Sequence, residues 1–195
     1  KGAAGERGPW QAEALIRTFL APVTATERLH IRAALDRVLA ADVVSPLAVP
    51  GHDNSAMDGY AVRFADLASG SETALTRVGE SFAGKPSGAT VDPGQCVRIF
   101  TGAVMPEGAD TVVMQERASE DAGWVRVAAG AVTKEGQNRR FAGEDLKAGQ
   151  LVFRAGQLVH PAELGMMASL GIGEVTVFRK LRVAFFSTGD ELKSI

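Results

Sequence analysis

Residues 49–62 read V-P-G-H-D-N-S-A-M-D-G-Y-A-V. Pro50 and Gly51 interrupt any regular element, and Asp53 opens a run of short polar side chains that favour turns by hydrogen bonding to nearby backbone. A second turn signal at 58–59 leads into the alternating pattern of a strand. Oxygen-rich loops held on a strand suit a hard cation such as Mg²⁺ or the hydroxyls of a polar ligand, although turn chemistry alone also accounts for each residue.

Length and composition exclude several classes of function. The 195 residues leave room for one large domain or two small ones, and a net charge of −2 gives no basic field to attract nucleic acid. No apolar run approaches the roughly 20 residues of a membrane-spanning helix, so we expect no membrane partner and a cytoplasmic location. The single Cys96 excludes an internal disulfide, and the apolar alternation around it favours a buried, unreactive thiol.

Periodicity predicts a strand-rich chain with few helices. Helical spacing of apolar residues is present at 10–20, 33–40 and 161–170, and extended pieces are predicted at 28–32, 42–44, 151–153 and 174–178. Between residues 60 and 132 many Gly and Pro residues separate short apolar runs, which is typical of several short strands in a small barrel or coiled sheet.

No Ser-His-Asp set, HExxH, P-loop or CxxC motif is found, so triad hydrolysis, zinc chemistry and P-loop nucleotide chemistry have no support.

The run at 181–186 is apolar on both faces of a predicted strand. Such a strand needs cover on both sides, as in a parallel α/β sheet, and a polar Gly turn at its carboxyl end is where such sheets bind ligands. We therefore expect residues 181–195 to begin a further, truncated α/β domain.

Four segments, in order along nearly the whole chain, resemble one family. D-N-S-A-M-D-G-Y-A-V at 53–62 resembles the signature of the MoeA-type molybdopterin molybdenumtransferases, whose animal relative is the E domain of gephyrin. The other three segments are R-I-F-T-G-A at 98–103 with P-E-G-A-D at 106–110, G-E-D at 143–145, and F-S-T-G-D-E-L at 186–192.

The resemblance implies a fold and a domain plan. The fold class is α+β and β-rich, with the coiled and bifurcated sheets of the MoeA N-terminal region and an inserted β domain. The expected parts are an N-terminal helix and linker at 1–26, a discontinuous scaffold domain at 27–44 and 148–180, an inserted β-rich domain at 45–147, and the pterin-domain strand at 181–195.

The resemblance also implies an activity and its residues. The family inserts molybdate into adenylylated molybdopterin and releases AMP, with Mg²⁺ as cofactor. Catalytic residues would be Asp58, Thr101 and Glu191, with Asp58 and Glu191 also as metal ligands. Substrate-binding residues would be Asn54, Ser55, Arg140, Asp145 and Asp190. The family usually has N-I-R where this chain has N-R-R at 138–140, so either Arg139 or Arg140 faces the cleft.

Expected partners are a second copy of the chain, in a homodimer, and an upstream pterin-adenylylating protein. Because most of the pterin-binding domain would lie beyond residue 195, we expect these residues alone to be inactive and to bind adenylylated pterin weakly or not at all.

An alternative function is a gephyrin-like scaffold or peptide-binding module without catalysis. A structural β domain without any site is a third interpretation. The joint presence of Asp58, Thr101 and Glu191 favours the enzyme, because a scaffold does not need them together.

Overall fold

The structure is a computed structural model that describes residues 9–68 and 70–184. The chain divides into two compact units. The first unit is Lys1–Val43 with Leu151–Ile195, and the second unit is Val44–Gln150. None of the described helices is both long enough and apolar enough to cross a membrane.

Strands outnumber helices in the described residues, as the sequence predicts. In chain order the elements are α1 (Pro9–Phe19), β1 (Thr26–His30), β2 (Val43–Val44), β3 (Asn54–Ser55), β4 (Gly59–Val62), β5 (Thr73–Ser81), β6 (Gln95–Ile99), β7 (Thr111–Met114), β8 (Ala118–Asp121), β9 (Trp124–Val127), β10 (Arg139–Arg140), β11 (Leu151–Phe153), α2 (Pro161–Ser169) and β12 (Glu174–Phe178). Short 3₁₀ helices lie at Ile31–Ala33, Phe64–Asp66 and Gln115–Arg117.

The first unit is built on the antiparallel pair β1 and β12, and β2 pairs with β11. Helix α2 begins at Pro161, which suits a first turn, and the Glu163 carboxylate accepts a hydrogen bond from the His160 N–H at 2.9 Å. The core of this unit combines residues from strands, loops and α2. Its buried members are Ile31, Ala34, Leu39, Val43, Val159, Met167, Val175 and Val177.

The predicted helix at 33–40 is wrong. Only the 3₁₀ turn Ile31–Ala33 forms, and Asp36 adopts a left-handed conformation with φ of 59°, which a helix does not tolerate. The next apolar residues are extended instead, and the N–H of fully buried Leu39 donates to the Gln157 carbonyl at 2.9 Å. Tertiary pairing therefore overrides the local helical spacing.

The second unit contains a six-stranded sheet in the order β7-β4-β6-β5-β9-β8. Its neighbouring pairs are antiparallel except β5 and β6, which run parallel. The short strands predicted between residues 60 and 132 are confirmed, and they include β4, β6, β7 and β9. Cys96 is fully buried among the apolar side chains of this sheet, and burial raises the pKa of its thiol to about 12, so the prediction of an unreactive thiol holds.

Strand β4 lies between β6 and β7 and requires a glycine at its start. A Cβ on Gly59 would lie 1.9 Å from the Val113 carbonyl oxygen, well inside van der Waals contact. The Asp58-Gly59 turn is therefore fixed by packing, and it places Asp58 directly before a buried strand.

Residues 181–184 form no strand, and the rest of the predicted strand at 181–186 lies outside the described residues. Asp190 and Glu191 lie outside them as well, so their predicted roles stay predictions.

Candidate active site

Asp58 and Thr101 meet at one end of two neighbouring strands. Asp58 precedes β4 and Thr101 closely follows β6, and antiparallel pairing places Gly59 opposite Ile99. The Asp58 Oδ1 accepts a hydrogen bond from the Thr101 N–H at 2.8 Å and one from the Thr101 hydroxyl at 2.7 Å. These two hydrogen bonds, the backbone one first, lower the pKa of Asp58, with a smaller contribution from the positive charge of Arg98. Asp58 is therefore a partly exposed carboxylate that stays ionised at neutral pH.

Asn54 and Ser55 hold the backbone behind this pair. Both are nearly inaccessible, at 7% and 1% exposure. The Ser55 N–H donates to the Ala103 carbonyl at 3.0 Å, and the Gly102 N–H donates to the Ser55 carbonyl at 2.8 Å. The Ser55 hydroxyl donates to the Met57 carbonyl at 2.5 Å. Ser55 through these bonds, and Asn54 through its antiparallel bridge to Val104, fix the loop that carries Thr101. Their substrate contacts stay predictions.

Strand β10 pairs with β3 and brings two arginines to the same ribbon, with Arg139 opposite Ser55 and Arg140 opposite Asn54. The Arg140 Nε donates to Glu144 at 2.6 Å, and its Nη2 donates to Asp145 at 2.5 Å. The two carboxylates, Glu144 first, raise the pKa of Arg140, and the Arg140 guanidinium in turn lowers the pKa of Glu144. The predicted residues Arg140 and Asp145 are thus brought into direct contact.

Arg139 binds a different acid. Its Nε donates to Asp53 Oδ2 at 3.0 Å, its Nη2 bonds to the same oxygen, and its guanidinium carbon lies 4.9 Å from the Phe141 ring centroid. Asp53 Oδ1 also accepts the Ala142 N–H at 2.7 Å. The Arg139 hydrogen bond, followed by that of Ala142, lowers the pKa of Asp53.

The β3–β10 ribbon links two groups of predicted site residues. Asp58 and Thr101 connect to it through Ser55 and the 101–103 loop, and Arg140 and Asp145 connect to it through β10. Two acids at this ribbon, Asp53 and Glu144, were not among the predicted site residues. Asp53 stands in the opening polar run, and Glu144 stands four residues after Arg140, a spacing at which an ion pair is readily formed.

Within the described part of the chain, the acidic side chains form no cage for Mg²⁺. Across residues 9–68 and 70–184, no three His, Cys, Asp or Glu side chains come together to form a metal site. Asp58 offers one ionised carboxylate, whose Oδ2 accepts no hydrogen bond from the described residues. Since Mg²⁺ commonly takes one or two protein carboxylates together with substrate phosphates, Asp58 fits it as a single ligand.

The chain is similar in sequence to known proteins over most of its length. Residues 10–171 match the model of the MoeA N-terminal region (domain I and II). The chain is 44% identical over 174 residues to the molybdopterin molybdenumtransferase of Haemophilus influenzae, covering 88% of this chain and 42% of that protein. It is 43% identical over 160 residues to molybdopterin molybdenumtransferase 2 of Mycobacterium tuberculosis, covering 80% and 39%. The chain thus spans about two fifths of the length of these relatives.

Solved structures agree with this result. Two crystal structures of the molybdopterin biosynthesis MoeA protein from Pyrococcus horikoshii superpose with TM-scores of 0.73 and 0.77, at 35% and 28% identity. They cover 79% and 88% of this chain, and 41% and 44% of the respective solved chains. The strand-rich fold expected from the resemblance is confirmed, and by its match over residues 10–171 the chain belongs to the family of the MoeA N-terminal region.

Proposed function

We propose that this chain is part of a molybdopterin molybdenumtransferase, which inserts molybdate into adenylylated molybdopterin and releases AMP. Relatives named molybdopterin molybdenumtransferase support a role in molybdenum cofactor biosynthesis. The observation that carries the proposal for this chain is the Asp58–Thr101 pair, because a held, ionised carboxylate beside an oriented hydroxyl suits a phosphate-bearing substrate and its cation.

The geometry gives each group a distinct task. The Thr101 hydroxyl commits its proton to Asp58, so its lone pairs remain to accept a hydrogen bond from substrate or to bind a cation. The second oxygen of Asp58 remains available for a cation. The Thr101 backbone N–H holds the Asp58 carboxylate, and that carboxylate holds the Thr101 hydroxyl, before substrate arrives; such preorganisation is what electrostatic catalysis requires.

Arg140 suits an oxyanion. Glu144 and Asp145 occupy its Nε and Nη2, while its Nη1 makes no hydrogen bond within the described part of the chain. The two acids hold the planar guanidinium in one orientation, and its remaining donors suit molybdate or a phosphate oxygen. We therefore assign substrate binding to Arg140, whose side chain is 39% exposed, rather than to Arg139, which is 24% exposed and lies over the Phe141 ring.

Mg²⁺ is proposed as the cofactor, with Asp58 as one ligand and Glu191 as the other protein ligand. When bound, the ion would neutralise charge on the substrate phosphate. Asp190 is proposed to bind substrate beside Glu191.

We also propose a homodimer and transfer of substrate from an upstream pterin-adenylylating protein. The exposed apolar row on α1, formed by Leu15, Ile16 and Phe19, supports a dimer contact. Analytical ultracentrifugation at micromolar concentration tests this assembly, and a clean monomer would contradict it. The cytoplasmic location stays a proposal.

Complementation tests the proposed function. The complete gene is introduced into a strain that lacks its own molybdenumtransferase, and molybdoenzyme activity is measured. We expect the wild-type gene to restore activity and Asp58→Ala to fail. Asp121→Ala serves as the matched control, because Asp121 is an exposed acid on β8 that forms no hydrogen bond through its side chain in the described residues. Failure of the wild-type gene, or full activity of Asp58→Ala, would contradict the proposal.

A further inference from the structure

Four side chains of the second unit form a column beside the Asp58–Thr101 pair. The Arg98 guanidinium carbon lies 4.9 Å from the Tyr60 ring centroid and 5.0 Å from that of Phe100. The Phe82 ring stacks on Phe100 with centroids 4.7 Å apart and an interplanar angle of 10°. Because Phe82 already covers one face of Phe100, Arg98 lies over the other face, and the column ends at Phe82.

Phe82 leaves a surface on which one more ring can stack. The residue is 39% exposed, although phenylalanine is usually found buried. Its partner Phe100 is only partly exposed and is fixed by its N–H, which donates to the Ser81 carbonyl at 3.2 Å. A planar heteroaromatic ring placed on Phe82 would continue the parallel stacking that Phe82 and Phe100 already show.

A positive charge stands next to this surface. Phe82 and Lys85 close a tight turn in which each N–H donates to the carbonyl of the other, both at 3.0 Å. Residues directly opposed in this way project their side chains to the same side. Lys85 is exposed and forms no ion pair with any residue that the structure describes. A ring and an ammonium on one side of a turn match a ligand that carries both a planar base and a phosphate.

The turn also lies against the candidate active site. Thr101 directly follows Phe100 in the chain, and a Cβ built on Gly102 would lie 3.9 Å from the Ala83 Cβ. The Ser81 hydroxyl donates to the Val104 carbonyl at 2.9 Å and so joins the end of β5 to the loop that carries Thr101. A ligand bound at Thr101 therefore lies next to the turn that carries Phe82.

We propose that Phe82 and Lys85 form a binding subsite for the adenylylated pterin, in which a planar heteroaromatic ring stacks on Phe82 and a phosphate contacts Lys85. This inference rests on the proposed function for the identity of the ligand. The ring chemistry is shared by the adenine and the pterin, and the experiment separates them.

Binding to the complete protein is measured by isothermal titration calorimetry with three probes. AMP carries a ring and a phosphate, ribose 5-phosphate carries the phosphate alone, and 6-hydroxymethylpterin carries the other ring alone. The variants are Phe82→Ala, Phe82→Trp and Lys85→Ala. Trp124→Ala is the control, because Trp124 is another exposed aromatic residue of the second unit and lies on β9, away from the Phe82 turn.

We expect Phe82→Ala to weaken binding of AMP or of the pterin by about five- to 150-fold, the range for loss of one base–aromatic stack, and to leave ribose 5-phosphate unchanged. The probe that loses affinity identifies the ring. Phe82→Trp should retain affinity, Lys85→Ala should weaken AMP and ribose 5-phosphate alike, and Trp124→Ala should change nothing.

The proposal is overturned if neither ring probe binds the wild-type protein, if Phe82→Ala changes neither, if Phe82→Trp loses as much affinity as Phe82→Ala, or if Lys85→Ala leaves the phosphate probes unaffected. These outcomes are independent of complementation. If the wild-type gene complements and Asp58→Ala does not, while Phe82→Ala changes the binding of neither ring probe, the proposed function stands and the stacking subsite is overturned.

Discussion

The Asp58 carboxylate receives both the backbone N–H and the hydroxyl of Thr101 on the same oxygen, at 2.8 and 2.7 Å. The two residues are 43 positions apart in the chain, and the antiparallel pairing of β4 with β6 brings them together. One interaction thus fixes the charge of the acid and the direction of the hydroxyl at the same time.

Thr101→Ala is expected to raise the pKa of Asp58 while leaving it below its ordinary value. The substitution removes the hydroxyl but keeps the Thr101 backbone N–H, which is the larger cause of the lowered pKa. Carboxyl ¹³C NMR during a pH titration measures this directly, and Thr101→Ser, which keeps the hydroxyl, is the control. An Asp58 pKa in the alanine variant that equals the wild-type value would show that the hydroxyl contributes nothing.

Asp58→Asn is expected to reduce the acid sensitivity of folding. The folded pKa of Asp58 lies below its ordinary value of 3.8, so below that pH the unfolded chain binds more protons than the folded one. The stabilisation is therefore complete above the ordinary value and is lost as the pH falls through the folded pKa. Asn keeps the acceptor oxygen without titrating, so the difference in the free energy of unfolding between wild type and variant should shrink as the pH falls.

Urea unfolding at neutral pH and at several values below about pH 4, the region where carboxyl groups titrate, measures that difference. Asp121→Asn is again the matched control. If the free energy of unfolding differs between wild type and Asp58→Asn by the same amount at every pH, a lowered pKa for Asp58 is contradicted.

Gly59→Ala is expected to destabilise the second unit by about 3 kcal/mol or more, because the new Cβ would meet backbone rather than a movable side chain. Gly88→Ala provides the comparison, since nothing lies within 4 Å of a Cβ at that position. Thermal and urea unfolding give both values. Equal stability of the two variants would mean that β4 and β7 do not pack as described.

Arg139→Ile and Arg140→Gln are expected to have opposite effects on molybdoenzyme activity in the complementation assay. Arg139→Ile places an aliphatic residue where the family usually has one and removes the ion pair with Asp53 and the contact with the Phe141 ring, so activity should be retained. Arg140→Gln removes the guanidinium held by Glu144 and Asp145, so activity should be lost. The reverse result would assign the oxyanion to Arg139.

The elements that the sequence predicted correctly are those whose pattern is local. Strands β4, β6, β7 and β9 alternate or form short apolar runs between turn residues, and α2 has Pro161 and Glu163 in its first turn. The helix predicted at 33–40 failed because Leu39 satisfies its backbone through Gln157, a residue far along the chain. No local pattern contains that pairing.

The same limit applies to the candidate site. The polar run at 53–55 and the acid at 58 were visible in the sequence. The sequence did not show which of these residues support the loop and which one faces the site. Asn54 and Ser55 are buried and support the loop, whereas Asp58 is partly exposed and contacts Thr101. The pairing of β3 with β10, which contributes to this burial, is a long-range contact that the sequence does not show. The stacked pair Phe82 and Phe100 likewise joins the ends of two strands that the sequence could not place side by side.

Other expectations stay predictions. The domain limits at 27–44, 45–147 and 148–180 are among them, as is the inactivity of these 195 residues alone. The roles of Asp190 and Glu191 depend on residues that the structure does not describe.

Molybdate-dependent release of AMP tests the central claim most directly. The complete protein is incubated with adenylylated molybdopterin, Mg²⁺ and molybdate, and AMP is quantified for wild type, Asp58→Asn, Thr101→Ala and the control Asp121→Asn. We predict that Asp58→Asn lowers the rate at least about 100-fold, that Thr101→Ala lowers it to a smaller extent, and that Asp121→Asn is unchanged. Wild-type rates in Asp58→Asn would contradict a catalytic role for the Asp58–Thr101 pair.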